Sequence, residues 1–184
     1  ADGAIFAIRK QLYRPLKSHD INDFVIPMNI VSQGFRVILS ERALCYEVTA
    51  KSTQHEFWRQ VRITNRTLRA IFSNLALMNP LRDFQFAWSM FSHKFIKFIC
   101  PFSLVAVFLS NLVIANINYF YTLILLSQVL FYLLALTTFM NLRVRLLKKI
   151  AHTTSMFCTV NLAILVGWIK YFRKETYITW SSAR

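Results

Sequence analysis

Acidic residues are scarce in this chain. Of its 184 residues, 8 are Asp or Glu, against 22 Lys or Arg, and the formal net charge is +14. Each acid can therefore be weighed singly. Cysteine is scarce too. Cys45, Cys100 and Cys158 are widely spaced and make neither a C-x-x-C pair nor a Cys/His cluster with zinc spacing. They read as small hydrophobes, compatible with a reducing compartment. No internal repeat or low-complexity segment is present, and nothing near the start pairs a basic head with an apolar core, so no secretory signal is visible. The largest absence is of charge itself. Residues 98–142 run for 45 positions without a charged side chain or a histidine.

That uncharged run fixes the solvent. A bilayer core about 30 Å thick takes roughly 20 apolar residues per helix. The run is too long for one helix and long enough for two. Asn116-Ile117-Asn118 marks a turn, so 98–115 and 119–140 read as an antiparallel transmembrane hairpin. A third apolar stretch, 156–172, is interrupted only by Lys170 and is marginal as a span.

The basic residues flank these segments: Lys94 and Lys97 before the first, Arg143, Arg145, Lys148 and Lys149 after the second, and Lys170, Arg173 and Lys174 at the third. That distribution fits the cytoplasmic Lys/Arg bias and attraction to anionic lipid, and argues against nucleic acid as the partner. A hairpin keeps the first two groups on one side. A full third span would place Arg173 and Lys174 on the other, against the bias, whereas a re-entrant or interfacial segment would not.

Residues 1–97 carry charge at ordinary density. Residues 4–9 read as a strand, and Tyr13-Arg14-Pro15-Leu16 as a turn. A helix then presents Phe24, Met28 and Val31 on one side, with Asn22 or Asp23 as its cap and Gly34 as its stop. Segments 35–39 and 44–48 are apolar enough for strands, and helix, Gly, strand is an α/β pattern. Residues 54–79 predict a long amphipathic helix, with Phe57, Val61, Leu68, Ile71 and Leu75 opposite Arg59, Arg62, Arg66 and Arg69. Residues 84–96 predict a second, interfacial one. The chain opens without Met inside the first apparent strand, which predicts that it is the C-terminal part of something longer.

The order of these features resembles the second half of a membrane-bound family 2 glycosyltransferase. The residues that carry the likeness are Gly3-Ala4-Ile5-Phe6-Ala7-Ile8-Arg9-Lys10, Asp20-Ile21-Asn22-Asp23-Phe24, Gln33-Gly34-Phe35-Arg36-Val37, Ala43 to Glu47, and Glu56-Phe57-Trp58-Arg59-Gln60-Val61-Arg62-Ile63. Further on they are Ser92-His93-Lys94, Gln128 with Phe131-Tyr132, Asn161-Leu162-Ala163, and Trp180 to Arg184. The likeness covers nearly the whole chain.

The resemblance implies a fold of α/β plus membrane helices. Residues 1–53 would close a partial GT-A-type α/β domain, 54–97 would form interfacial amphipathic helices, and 98–140 the hairpin. Residues 141–155 would be a basic cytoplasmic loop, and 156–184 the third apolar segment and basic tail. It implies an inverting transfer of sugar from a nucleotide sugar to a saccharide or lipid-linked acceptor at the cytoplasmic membrane face, with residues 1–97 cytoplasmic. Asp23 matches the catalytic base. Arg59 and Arg62, three apart on one helix face, match a clamp on the leaving diphosphate, and Gly3 and Ala4 fall on the acceptor side. Processive relatives, the cellulose and hyaluronan synthases, carry Q-x-x-R-W here. This chain has Arg59 for the Gln and Ile63 for the Trp, and keeps only Arg62. The family's D-x-D motif, which holds a divalent metal (Mg or Mn) on the donor, is not in this chain. The chain alone is therefore expected to be inactive. Two other classes are in competition: a non-catalytic basic membrane scaffold, and a transporter fragment, which the lack of ionisable residues in the spans disfavours.

Overall fold

The computed structural model describes residues 5–46, 52–81, 83–139 and 145–177. Within them every regular element is helical: α1 (Asn22–Ser32), α2 (Thr53–Ser73), α3 (Phe84–Met90), α4 (Ile96–Ile114), α5 (Tyr119–Leu136) and α6 (Arg145–Phe172). A π-helical turn, Phe91–Phe95, joins α3 to α4 as one continuous helix.

The expected α/β domain is overturned. Among the described residues there is no strand and no sheet. Residues 5–9 and 35–39, and 44–46 of the segment 44–48, make no ladder; residue 4 and residues 47–48 lie outside the described residues. The reason is pairing. A strand leaves its backbone N–H and C=O groups open until a neighbour takes them. No described segment pairs with these in a ladder, and Ile38 and Leu39 stay 85% and 87% exposed. Their β-branched, apolar composition permits a strand without supplying the partner that makes one.

The first helix begins at Asn22 with Ile21 in the capping position, where no side chain caps it. Neither acid nor amide caps the helix start as expected. Asn22 instead accepts the N–H of Asp23 at 3.0 Å. Gly34, at φ 83°, ends α1 in the left-handed conformation that a Cβ disfavours. The second helix is capped by Ser52, whose side chain accepts the His55 N–H at 3.2 Å. It stops at Ser73, short of the expected 79, and Leu75–Met78 forms a tight 3-10 turn. The hairpin turns where Asn116-Ile117-Asn118 predicts. Asn118 caps α5 by accepting the Phe120 N–H at 3.0 Å. The last helix is longer than its apolar stretch. It reaches back to Arg145, so residues 145–155 of the expected loop are helical.

Three helices are long and apolar enough to cross a membrane: 84–114, 119–136 and 146–172. The amphipathic α2 does not stand alone. Val61, Leu68 and Ile71 are fully buried, largely against α6. A Cβ on Gly167 would lie 2.7 Å from the Cβ of Thr64, so the two helices meet backbone to side chain at that glycine. One cluster unites the layers: Phe24, Val25 and Met28 of α1, Leu68, Ala70 and Ile71 of α2, Met90 of α3, Phe98 of α4 and Ile164 of α6.

Candidate functional site

The site is built on the turn that leads into α1. Lys17 N–H donates to Asp20 Oδ2 at 2.8 Å and closes this turn. Arg66, from the middle of α2, then grips it from below. Its Nε–H donates to the carbonyl of His19 at 2.9 Å, and a terminal N–H donates to the carbonyl of Asp20. A guanidinium suits this task because its N–H groups form a fixed planar fork. The start of α1 is thus tied to α2 by a residue 46 positions away in sequence.

Asp23 sits on the first turn of α1. Its Oδ1 is buried and has no hydrogen-bond partner among the described residues. A buried carboxylate oxygen without a donor is uncommon, because desolvation goes uncompensated. Proline adds to the local polarity. Pro27 has no N–H to give to the carbonyl of Asp23, four residues earlier. Lys94, on the π-helical turn, stands over the ring of the adjacent Phe24 at 5.7 Å. Such turns open a helix locally and often mark functional positions.

The arginine stripe of α2 divides its labour. Arg59 bridges Glu56 through two bonds of 2.8 Å, and this partner holds the Glu56 carboxyl below the usual carboxylate range. Burial pushes the Arg62 guanidinium below its ordinary value, and the like charges of Arg66 and Arg59 push the same way, with Tyr177 opposing. Burial also lowers Arg66, while Asp20 and Asp23 draw it back up. Both remain cations, since an arginine keeps its proton in proteins. Arg69 completes the stripe. It donates to the Glu175 carbonyl at 2.7 Å and lies over the Tyr171 ring at 5.6 Å.

The structure therefore brings Asp23 beside Arg66, and Arg62 beside Arg66 and Arg59. Gly3 and Ala4 lie outside the described residues, as do residues 180–184 of the closing motif. Among the described residues no cluster of three or more His, Cys, Asp or Glu could hold a metal ion, so they do not fit the divalent metal that the resemblance implies. Sequence reasoning missed the particular parts of Arg66 and Lys94. Arg66 stood in the stripe as one of four, and only its angle around α2 points it at the turn before α1. Lys94 stood as a membrane-flanking charge.

No protein-family model, curated protein or solved structure matches this chain.

Proposed function

We propose that this chain is the membrane-side part of an inverting glycosyltransferase, acting on a nucleotide sugar donor and a saccharide or lipid-linked acceptor. The observation that carries the reading is the buried, unpartnered Oδ1 of Asp23 beside a row of arginines. A carboxylate with an unspent lone pair near cationic side chains is what supports the role of general base. Asp23 takes the proton of the acceptor hydroxyl. That oxygen attacks the anomeric carbon in line and inverts it, and the donor diphosphate leaves. Arg62 stabilises the charge gathering on the diphosphate, with Arg59 adding positive potential from beside it. Arg66 does neither; it fixes the turn that aims Asp23.

In this reading residues 1–97 face the cytoplasm, and the protein sits in the plasma or inner membrane. Basic residues beside the apolar helices support that orientation. A nucleotide-binding part with a D-x-D motif completes the enzyme, and no step of the metal's chemistry falls to these residues. The absence of any strand among the described residues favours the rival, a basic membrane scaffold without catalysis.

One experiment separates them. Membranes carrying the complete protein are assayed for transfer from a panel of labelled nucleotide sugars, with Asp23→Asn beside the wild type. The expected result is transfer by the wild type and loss of turnover in the variant, with nucleotide-sugar affinity nearly unchanged. A variant that keeps a tenth of the wild-type rate removes Asp23 from the base role. Silence from the wild type across the panel favours the scaffold. The purified 184-residue chain is expected to transfer nothing.

A further inference from the structure

The path of α6 bears on which side of the membrane its ends occupy. The two helices before it form a regular antiparallel pair. Phe108 meets Tyr132 with ring centroids 6.0 Å apart, Asn111 donates to Gln128 at 3.0 Å, and Thr122 donates to the Ala115 carbonyl at 2.6 Å. The start of α4 and the end of α5 therefore lie at the same end of the hairpin, opposite the turn at Ile117. The sixth helix begins against the end of α5. Thr138 donates to the Ala151 carbonyl at 2.7 Å, and Phe131 meets Phe157 at 5.7 Å. Continued alongside α5, it would carry Trp168 about 25 Å further, to the level of the hairpin turn. Trp168 is not there. Its Nε1–H donates to the Phe98 carbonyl at 2.9 Å, and its ring meets Phe102 at 5.8 Å, both on the first turns of α4. Phe98 is about 24 Å along α4 from Ile114 at the turn.

A second line of contacts agrees. The C-terminal half of α6 is covered by α2, the helix that carries Arg59, Arg62, Arg66 and Arg69. Phe72 stacks on Tyr171 at 5.4 Å and meets Trp168 at 6.0 Å. The residues after α6 also fold back on α2. The Glu175 carbonyl accepts from Arg69 at 2.7 Å, while Lys170, on the last turn of α6, reaches over Trp58 at 5.9 Å. A helix sheathed in arginines does not sit in hydrocarbon.

We propose that α6 does not cross the bilayer. It lies along the lipid surface, across the base of the α4–α5 hairpin, and both its ends share the side that carries α1 and α2. Its occupant is the leaflet of that side. Leu162, Ile169 and Phe172 are exposed, and Lys148 and Lys149 at one end and Arg173 and Lys174 at the other meet the headgroups. All the flanking cations then fall on one side, as the charge bias favours. The placement holds whether or not the chain has the enzymatic role proposed above.

The test is side-specific labelling of the full chain in sealed vesicles with a membrane-impermeant maleimide. The native thiols are replaced (Cys45→Ser, Cys100→Ala, Cys158→Ala), and single cysteines are introduced by Ile117→Cys, Lys148→Cys and Arg173→Cys at exposed turns and ends. Positions 148 and 173 are expected to react from the same face, and position 117 from the opposite one only. Reaction of position 173 from the face that labels 117 overturns the proposal, and so does reaction of 148 from that face. A second measurement leaves the native chain unaltered. A fluorescent protein is fused before Ala1 or after Arg184, and an impermeant quencher is added. Quenching of both fusions from one face is expected, and quenching from opposite faces overturns the proposal.

Discussion

Arg66 shows how much one side chain can decide. It spends its fork on two backbone carbonyls of the turn before α1, rather than on an acid or a ligand. Removing it leaves two part-buried carbonyls without donors, a loss of about 1–3 kcal/mol. Arg66→Ala should therefore lower the thermal midpoint in detergent, and Arg66→Lys should restore little, since an ammonium cannot bridge both carbonyls. Near-UV circular dichroism and scanning fluorimetry across the three proteins check this. Equal midpoints for Arg66→Ala and the wild type would refute the anchoring role. At this scale residue types and spacings were legible: a stripe of arginines three or four apart, an acid before an apolar helix. It did not tell which arginine faces which neighbour. That depends on how α2 is rotated against α1 and α6, and no local pattern encodes that rotation.

Among the elements, the joint between α2 and α6 is the tightest. A Cβ added at Gly167 would lie 2.7 Å from the Thr64 side chain and 3.2 Å from the Val61 carbonyl oxygen. Gly167→Ala forces α2 and α6 apart, and overpacking of this kind costs about 1–3 kcal/mol. A fall in the thermal midpoint, with helix content unchanged at low temperature, is the expected result in circular dichroism. No change would mean that the two helices do not pack closely in the protein. The helices were legible because their signals are local. Apolar residues recur at helical spacing in α2, charge is missing across α4 and α5, and Asn118 and Gly34 mark ends. The strands were not, because a strand is a relation between two segments. Residues 35–39 have a strand's composition and no strand partner among the described residues.

The whole molecule hangs together through α6, which touches α2, α4 and α5. Without it, the buried face of α2 (Val61, Leu68, Ile71) opens to solvent. Burying each such side chain stabilises by about 1.5–3 kcal/mol, more than an amphipathic helix of this length gains from propensity alone. A chain ending after residue 144 should keep an inserted hairpin and lose the order of α2. Brief trypsin digestion should then cut at Arg59, Arg62 and Arg66, which the intact protein protects. Equal protection in both would show that α2 folds independently of α6.

What the amino-acid order determined by itself was the medium and the local elements. An uncharged run of 45 residues has to leave water, and helix periodicity, caps and turns need only neighbours in sequence. Which surfaces meet was settled by long-range packing. Arg66 came to lie at the turn before Asp23, α2 closed over α6 at Gly167, and Trp168 near the end of α6 met the first turns of α4. Each of these is a contact between distant segments, set by packing and by pairing of buried polar groups, and no stretch of the chain carries that information alone.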